Sequence, residues 1–270
     1  MGSEKVIFIT GASSGIGKAT AKLFQTKNWK VAATMRNPDD AKELQNIADI
    51  ECFTLDVTDS ASIRAAMKDA IAKFGKIDAV VNNAGYAVTG AFEAASEEQI
   101  KRQFETNVFG LMNVTREFLP FFRERKRGMF INIASVGGRV TFPLYSIYNS
   151  TKWAVEGFSE SLAFEMRPFN IKVKIIEPGP IKTDFYDRSM QIAKKDGLSA
   201  YDAYISRVLP KLEKAGANAP GPEIVAEVVY NAATDSSMKL RYSANSAALL
   251  AARKILPDAV FRWVVKTATH

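Results

Sequence analysis

Short runs of apolar and β-branched residues recur along the chain, each closed by Gly, Asn, Asp or Pro. Longer stretches lie between them, with apolar positions three and four apart. Residues 6–10, 30–35, 50–54, 79–82, 129–133 and 171–177 read as strands. Their hydrophobicity is continuous rather than alternating, as expected of parallel strands covered on both faces. Residues 16–25, 60–74, 97–125 and 151–167 read as helices. A seventh strand is expected at 238–242, followed by helices at 247–255 and 258–266. A repeated βα pattern calls for right-handed crossovers, and hence an α/β fold built on a doubly wound parallel sheet. The ligands of such sheets sit beyond the carboxyl ends of the strands.

The least regular part runs from Thr183 to Pro222 and mixes aromatics with lysines and small residues. A segment that long inside a compact domain is usually functional, so a substrate lid is expected at about 184–221. No linker or internal repeat divides the chain, and one domain over 1–270 is expected.

Two glycine and asparagine turns give the strand ends their chemistry. The first is Thr10-Gly11-Ala12-Ser13-Ser14-Gly15-Ile16-Gly17. Gly11 suits a turn that other residues resist, and Gly15 lets backbone approach a pyrophosphate. Gly17 lets the next helix pack against the first strand. The helix start offers N–H groups and a positive dipole end to phosphate, and Ser13 and Ser14 add hydroxyl donors. The second turn is Asn82-Asn83-Ala84-Gly85, whose small residues leave room for a ligand. Its paired asparagines predict bridging between loops, since buried amides need partners.

The second strand ends in Thr34-Met35-Arg36, with no carboxylate before Asp39. An acid there would bond a ribose 2′-hydroxyl, whereas Arg36 offers a planar fork to a 2′-phosphate. NADP is therefore expected over NAD. After the third strand, Asp56 can accept from an adenine amino group, with Val57 beside it.

Ser135, Tyr148 and Lys152 carry the reaction chemistry. If the helix includes Tyr148, Lys152 follows one turn later on the same face. A free phenol titrates near about 10, and a neighbouring ammonium lowers that value. Tyr148 is then a general acid or base, and Ser135 a donor to the same substrate oxygen.

These motifs resemble the short-chain dehydrogenase/reductase family. They are Thr-Gly-x-x-x-Gly-Ile-Gly at 10–17, Asn-Asn-Ala-Gly at 82–85, Ser135, Tyr-x-x-x-Lys at 148–152 and Pro178-Gly179-Pro180-Ile181-Lys182-Thr183. The resemblance implies a Rossmann fold with strand order 3-2-1-4-5-6-7, and Asn107 in a water-mediated proton relay to Lys152. It also implies that Thr183 and the Ile181 backbone contact the nicotinamide carboxamide. The Met35-Arg36 end is similar to NADP-preferring members of the 17β-hydroxysteroid and retinol dehydrogenase-like kind. Dimers or tetramers through helices at about 106–125 and 151–166 are implied as well.

The expected activity is NADPH-dependent reduction of a hydrophobic ketone or aldehyde, or the reverse oxidation. Val88, Val136, Phe142, Leu144, Tyr145, Phe185 and Tyr186 are the pocket candidates, of which two or three are expected to pack the core instead. A sugar-nucleotide epimerase or dehydratase shares the Tyr-x-x-x-Lys pattern, but such chains carry a larger C-terminal substrate domain. A dinucleotide-sensing regulator on this fold would lack the tyrosine or the lysine.

Composition narrows the chemistry. The chain has 270 residues, 47% hydrophobic and 24% charged, as in an ordinary globular protein. With one cysteine, Cys52, neither an intramolecular disulfide nor a multi-cysteine metal site is available. The sole histidine, His270, ends the chain, which argues against histidine chemistry. The formal charge is +7, concentrated at Arg123-Glu124-Arg125-Lys126-Arg127. That cluster reads as a helix end closed by Gly128 rather than a nucleic-acid surface. No apolar run reaches the roughly 18 residues of a membrane span and no secretory signal opens the chain, so a cytoplasmic setting is expected. The 261–265 stretch reads as subunit or core packing.

Overall fold

The computed structural model describes residues 4–183 and 190–269. Its main sheet holds β1 (Lys5–Thr10), β2 (Trp29–Met35), β3 (Ile50–Thr54), β4 (Ala79–Asn82), β6 (Gly128–Ile133), β7 (Ile171–Pro178) and β9 (Arg241–Ala244). They run parallel in the order β3-β2-β1-β4-β6-β7-β9. This is the expected 3-2-1-4-5-6-7 order once two short strands are counted apart. Those two, β5 (Ala87–Thr89) and β8 (Met190–Ile192), pair with each other in a separate parallel ribbon.

Strand periodicity builds two cores, one on each face. Ile7, Ile9, Val31, Ala33 and Val81 point to one face, where α1 (Gly15–Thr26) brings Phe24, α2 (Lys42–Gln45) brings Leu44 and α8 (Glu223–Thr234) brings Val225 and Val229. Val6, Phe8, Ala32 and Val80 point to the other. There α3 (Ser60–Phe74), α5 (Leu111–Glu124) and α6 (Ser146–Met166) pack Ile63, Phe118, Phe122 and Leu162 against them. Asn82 and Asn132 cross this interior on adjacent strands. Asn82 Nδ2 donates to Asn132 Oδ1 at 2.9 Å and to Thr115 Oγ1 at 3.1 Å, and Asn132 Nδ2 donates to Ser159 Oγ at 2.8 Å.

Several boundaries differ from expectation, each for a packing reason. The helix expected over 97–125 is divided: α4 (Glu97–Phe104) passes into a π-helical stretch, Glu105–Gly110, before α5. Such wide turns are frequent at functional sites. This one turns Asn107 inward and lets Gly110 approach Val57, whose Cγ2 would lie 2.7 Å from an added β-carbon. The helix expected from 151 begins at Ser146 instead, so Tyr148 lies inside it.

The last strand starts at Arg241 rather than 238. Residues before it wrap the buried ammonium of Lys174, which donates to the carbonyls of Ser237 and Lys239 at 2.8 Å each. The basic cluster does close α5, but the left-handed turn falls at Lys126 (φ 47°). Gly128 is needed for another reason: a β-carbon there would meet the Phe122 ring at 2.2 Å. Within the segment expected to be irregular lie β8 and α7 (Asp202–Ala217). The chain closes with α9 (Ala247–Ile255) and α10 (Asp258–Thr269). Phe261 of α10 packs into a cluster with Val136 and Val140, while Trp263 stays exposed.

Candidate active site

A cavity of about 730 Å³ follows the carboxyl ends of the strands. One end is built on the turn between β1 and α1. Gly11 holds φ +66°, in the left-handed region, and an added β-carbon would fall 2.9 Å from Ala84 Cα. Gly17 lies buried beneath the turn, where a β-carbon would come 2.3 Å from the Gly11 carbonyl oxygen. Asn83 bridges the two loops: Nδ2 donates to the carbonyls of Thr10 and Gly11, both at 2.9 Å. The backbone N–H groups of Asn83 and Ala84 donate to Thr10 Oγ1. The bridging expected of paired asparagines therefore belongs to Asn83, while Asn82 serves the core.

Ser14 occupies the N-cap of α1 in extended backbone, yet its hydroxyl makes no capping bond and the first turn carries no acid. The positive end of the helix is thus left for an external anion. Ser13, Ser14, Gly15 and Ile16 line the cavity there, and Thr183 faces Gly15 across it. Arg36 lines the rim, exposed to solvent, and neither Asp39 nor Asp40 joins it. Asp56 and Val57 line the next strand end, where Asp56 Oδ1 accepts from the Thr58 N–H and hydroxyl. These features fit a dinucleotide: a helix start for pyrophosphate, small residues beneath it and a cation at its outer end.

The other end holds the groups expected to carry the reaction. Ser135, Tyr148 and Lys152 line one wall, with Pro178, Gly179 and Ile181 beside them. Tyr148 and Lys152 stand one turn apart on α6, and Lys152 Nζ lies 5.7 Å from the centre of the Tyr148 ring. Lys152 is buried, and its ammonium donates to the Ile133 carbonyl at 2.9 Å. Burial pulls its pKa down to about 8, opposed by the charge of Glu156. Ser135 Oγ accepts from the Gly137 N–H at 3.0 Å, which fixes the hydroxyl just beyond β6. Leu144, just before Tyr145, is held at φ 64°. A non-glycine residue in that region carries backbone strain, here beside the reactive helix.

Most of the expected residues converge on this cavity, with a few exceptions. Gly17 shapes it from below. Asn107 stands behind its wall: Oδ1 accepts from the Tyr86 N–H, and Nδ2 donates to the Tyr86 carbonyl and to Thr151 Oγ1. Asn107 thus brackets the Gly85–Tyr86 loop against the helix turn preceding Lys152. Phe185, like Tyr186 and His270, lies outside the described residues. Among the pocket candidates, Val136, Phe142 and Tyr145 line the cavity, whereas Val88 and Leu144 are buried away from it.

Sequence reasoning missed Tyr86, Arg102, Gln191, Leu212 and Ala215, which line the same cavity. Gln191 arrives because β8 pairs with β5, and Leu212 and Ala215 line the cavity from α7. None carries a local motif. Burial pushes the Tyr86 phenol up, and its hydroxyl has no hydrogen-bond partner among the described residues. Among the described residues, no group of His, Cys, Asp and Glu could hold a metal, and no helix is long and apolar enough to cross a membrane.

Comparison with known proteins agrees with this architecture. An uncharacterized oxidoreductase of Schizosaccharomyces pombe is 41% identical over 241 residues, covering 87% of this chain and 98% of that one. A 3-ketodihydrosphingosine reductase of Bacteroides thetaiotaomicron is 42% identical over 183 residues, covering 68% of this chain and 66% of its own. Among solved structures, a short-chain dehydrogenase of Streptomyces avermitilis superposes with TM-score 0.84 at 33% identity, covering 98% of this chain and 96% of its own. Similar structures hold either cofactor. ElxO has NADP bound (TM-score 0.75, 25% identity, covering 91% and 99%), and a 3-ketoacyl-(acyl-carrier-protein) reductase of Brucella melitensis is complexed with NADH (TM-score 0.73, 25% identity, covering 89% and 97%). Residues 5–192 match the short chain dehydrogenase family, and the chain belongs to the short-chain dehydrogenase/reductase family of oxidoreductases.

Proposed function

We propose that this protein is an NADPH-dependent carbonyl reductase acting on a hydrophobic ketone or aldehyde, or on the corresponding secondary alcohol in reverse, with NADP as acceptor. The observation that carries the reading is the convergence of Ser135, Tyr148 and Lys152 on the same cavity as the open start of α1. When bound, NADP(H) supplies or takes up the hydride.

The chain's own residues handle the oxygen and its proton. Ser135 Oγ donates a hydrogen bond to the substrate oxygen and holds it beside Tyr148. In reduction, the Tyr148 hydroxyl gives its proton to that oxygen; in oxidation, the phenolate removes one. The Lys152 ammonium favours the phenolate and so brings the phenol closer to working pH. Lys152 also holds the nicotinamide ribose hydroxyls, and Asn107 supports the relay that returns a proton to it. Ile181 and Thr183 would hold the carboxamide, while Gly85 lets Asn107 pack closely behind the loop, since a β-carbon there would lie 3.1 Å from Asn107 Oδ1.

NADP is favoured because Arg36 offers a bidentate cation at the rim, where neither Asp39 nor Asp40 joins the lining. A hydrophobic substrate is favoured by Val136, Phe142, Tyr145 and Leu212 at the opposite end. The Bacteroides relative is named a 3-ketodihydrosphingosine reductase, and reduction of a ketone agrees with this reading. The 184–221 segment acts as the lid. In the same reading the enzyme is cytoplasmic and works as a homodimer or homotetramer, joined through the exposed apolar side chains of Trp153 and Phe164 on α6.

The test is a panel of ketones and aldehydes offered with NADPH and with NADH, following absorbance of the reduced nicotinamide. Turnover is expected with NADPH and apolar carbonyls, and Tyr148→Phe should abolish nearly all of it while leaving NADPH binding largely intact. Comparable turnover by Tyr148→Phe would remove Tyr148 as the proton donor.

A further inference from the structure

Helix α6 carries a third ionisable side chain in line with the first two. Glu156 follows Lys152 by one turn and Tyr148 by two, and it is 4% exposed. Glu177, the residue before Pro178 at the end of β7, is equally buried. Arg241 of β9 reaches both: its Nε donates to Glu156 Oε2 at 2.9 Å and lies 3.9 Å from Glu177 Oε1. Its second nitrogen donates to Glu160 Oε2 at 2.7 Å, and Arg139 approaches Glu177 Oε1 at 3.6 Å.

Two features set this cluster apart from a surface ion pair. Glu156 and Glu177 each keep one buried carboxylate oxygen, Oε1, without a hydrogen-bond partner among the described residues. Each of these oxygens is a buried acceptor that no described donor fills. The cluster also spans the elements of the site. Arg139 lies four residues beyond Ser135, Glu156 shares a helix with Tyr148, and Glu177 leads into the 178–183 segment. Moreover, a β-carbon on Gly138 would fall 2.9 Å from both Glu156 Cγ and the Lys152 carbonyl oxygen. The Ser135 turn therefore rests directly on this pair.

From this geometry we infer that Glu156 is a positioning residue for Lys152: its buried carboxylate sustains the ammonium and clamps the Ser135 turn and α6 together. The inference rests on the reading of Tyr148 and Lys152 as the reacting pair. The charged groups facing Glu156 are Lys152 and Glu160 on α6, Glu177 on β7, Arg241 on β9 and Arg139 beyond β6. Burial and the Glu177 charge push Glu156 up to about 7, against the opposing pull of Arg241 and Arg139. Burial draws Lys152 down to about 8, and Glu156 raises it. Glu156 thus becomes anionic just below the pH at which the ammonium would lose its proton.

The experiment reads Lys152 directly, in the full chain without substrate. Its carbon-13 Cε resonance, identified by its loss in Lys152→Arg, is followed against pH by NMR. In the wild type two steps are expected, the first as Glu156 ionises and the second as the ammonium deprotonates. In Glu156→Gln the first step should vanish and the second should move down by about one pH unit. The alkaline limb of kcat/KM should move with it, and Glu156→Asp should restore part of the shift. A merely structural role would lower thermal stability and leave the midpoint in place. A single-step wild-type titration, or a Glu156→Gln midpoint that stays put, would overturn the inference. The wild-type titration decides even if Glu156→Gln does not fold. Failure of the hydride-transfer reading looks different: no carbonyl is turned over, yet the Lys152 titration still responds to Glu156.

Discussion

The ammonium of Lys152 donates to the carbonyl of Ile133 at 2.9 Å, two residues before Ser135. That bond latches α6 to the end of β6, so the hydroxyls of Ser135 and Tyr148 are set relative to each other by a charged hydrogen bond. Lys152 has two tasks that share one proton. It holds the two elements together, and it sets the field at the phenol, 5.7 Å from Nζ to the ring centre.

The pH dependence of reduction follows from that proton. Lys152 is a base whose pKa is drawn down to about 8 by burial. Below that pH the ammonium is present; as pH rises through about 8 the charge is lost, and with it the charge assistance of the hydrogen bond and the field at the phenol. We expect kcat/KM for reduction to be level at lower pH and to fall above about 8. Lys152→Met should lower kcat by about 10²–10⁴-fold and remove that alkaline limb. Initial rates over a pH series, with wild type and variant, provide the check; an unchanged limb in the variant would assign it to another group.

Cofactor choice is expected to rest on Arg36. Its guanidinium lines the rim, and the acids that follow it in sequence, Asp39 and Asp40, do not, so its charge is available to a 2′-phosphate. A charge-assisted hydrogen bond is worth about 1.5–3 kcal/mol. Arg36→Ala should therefore weaken NADPH by about 10–100-fold and leave NADH nearly unchanged. Titration calorimetry with both cofactors measures this, and equal losses would point to general damage at the rim.

Two glycines should respond oppositely to one methyl group. At Gly17 a β-carbon would lie 2.3 Å from the Gly11 carbonyl oxygen and 2.6 Å from Asn83 Nδ2. Gly17→Ala should cost about 2–4 kcal/mol and weaken dinucleotide binding with it, since the clash falls on backbone. Gly157, on the exposed face of α6, has nothing within 4 Å. Gly157→Ala should add about 0.5–1 kcal/mol to the single protomer through helix propensity, and less where the α6 face bearing Trp153 and Phe164 is packed between subunits. Urea unfolding of both variants tests the pair.

Stability should also carry the signature of Glu156. Its carboxyl is raised from 4.5 to about 7 in the folded state, chiefly by burial. The folded form then holds the proton more tightly than the unfolded chain. That contribution is fully present below about 4.5 and is lost as pH rises through about 7. Relative to Glu156→Gln, the wild type should lose on the order of 1–3 kcal/mol across this window. Denaturant unfolding at about pH 4.5 and about pH 8 gives the difference; a constant offset between the two proteins would contradict it.

Local signals carried much of this protein's organisation. Continuous apolar runs marked the parallel strands, because a strand buried on both faces needs apolar residues throughout. The turn from Gly11 to Gly17 announced itself because close backbone approach admits few residue types. Tyr148 and Lys152 were readable as a pair because one helical turn brings them together.

Other features had no local signature. Asn82 and Asn83 are identical side chains in sequence, and only the pleat sends one into the core and the other to the Gly11 turn. Gly128 served the Phe122 ring rather than the turn, which is set by packing across a strand and a helix. The pairing of β8 with β5 brought Gln191 to the cavity, and no run of residues around it foretold that partner. Glu156 and Arg241 are 85 residues apart and meet at 2.9 Å. Periodicity and turn chemistry act over a few neighbouring residues, so the sequence by itself determined the elements and the reactive motif. Which distant charges surround that motif was decided only when the sheet closed, because their encounter depends on β7, β9 and α6 lying side by side.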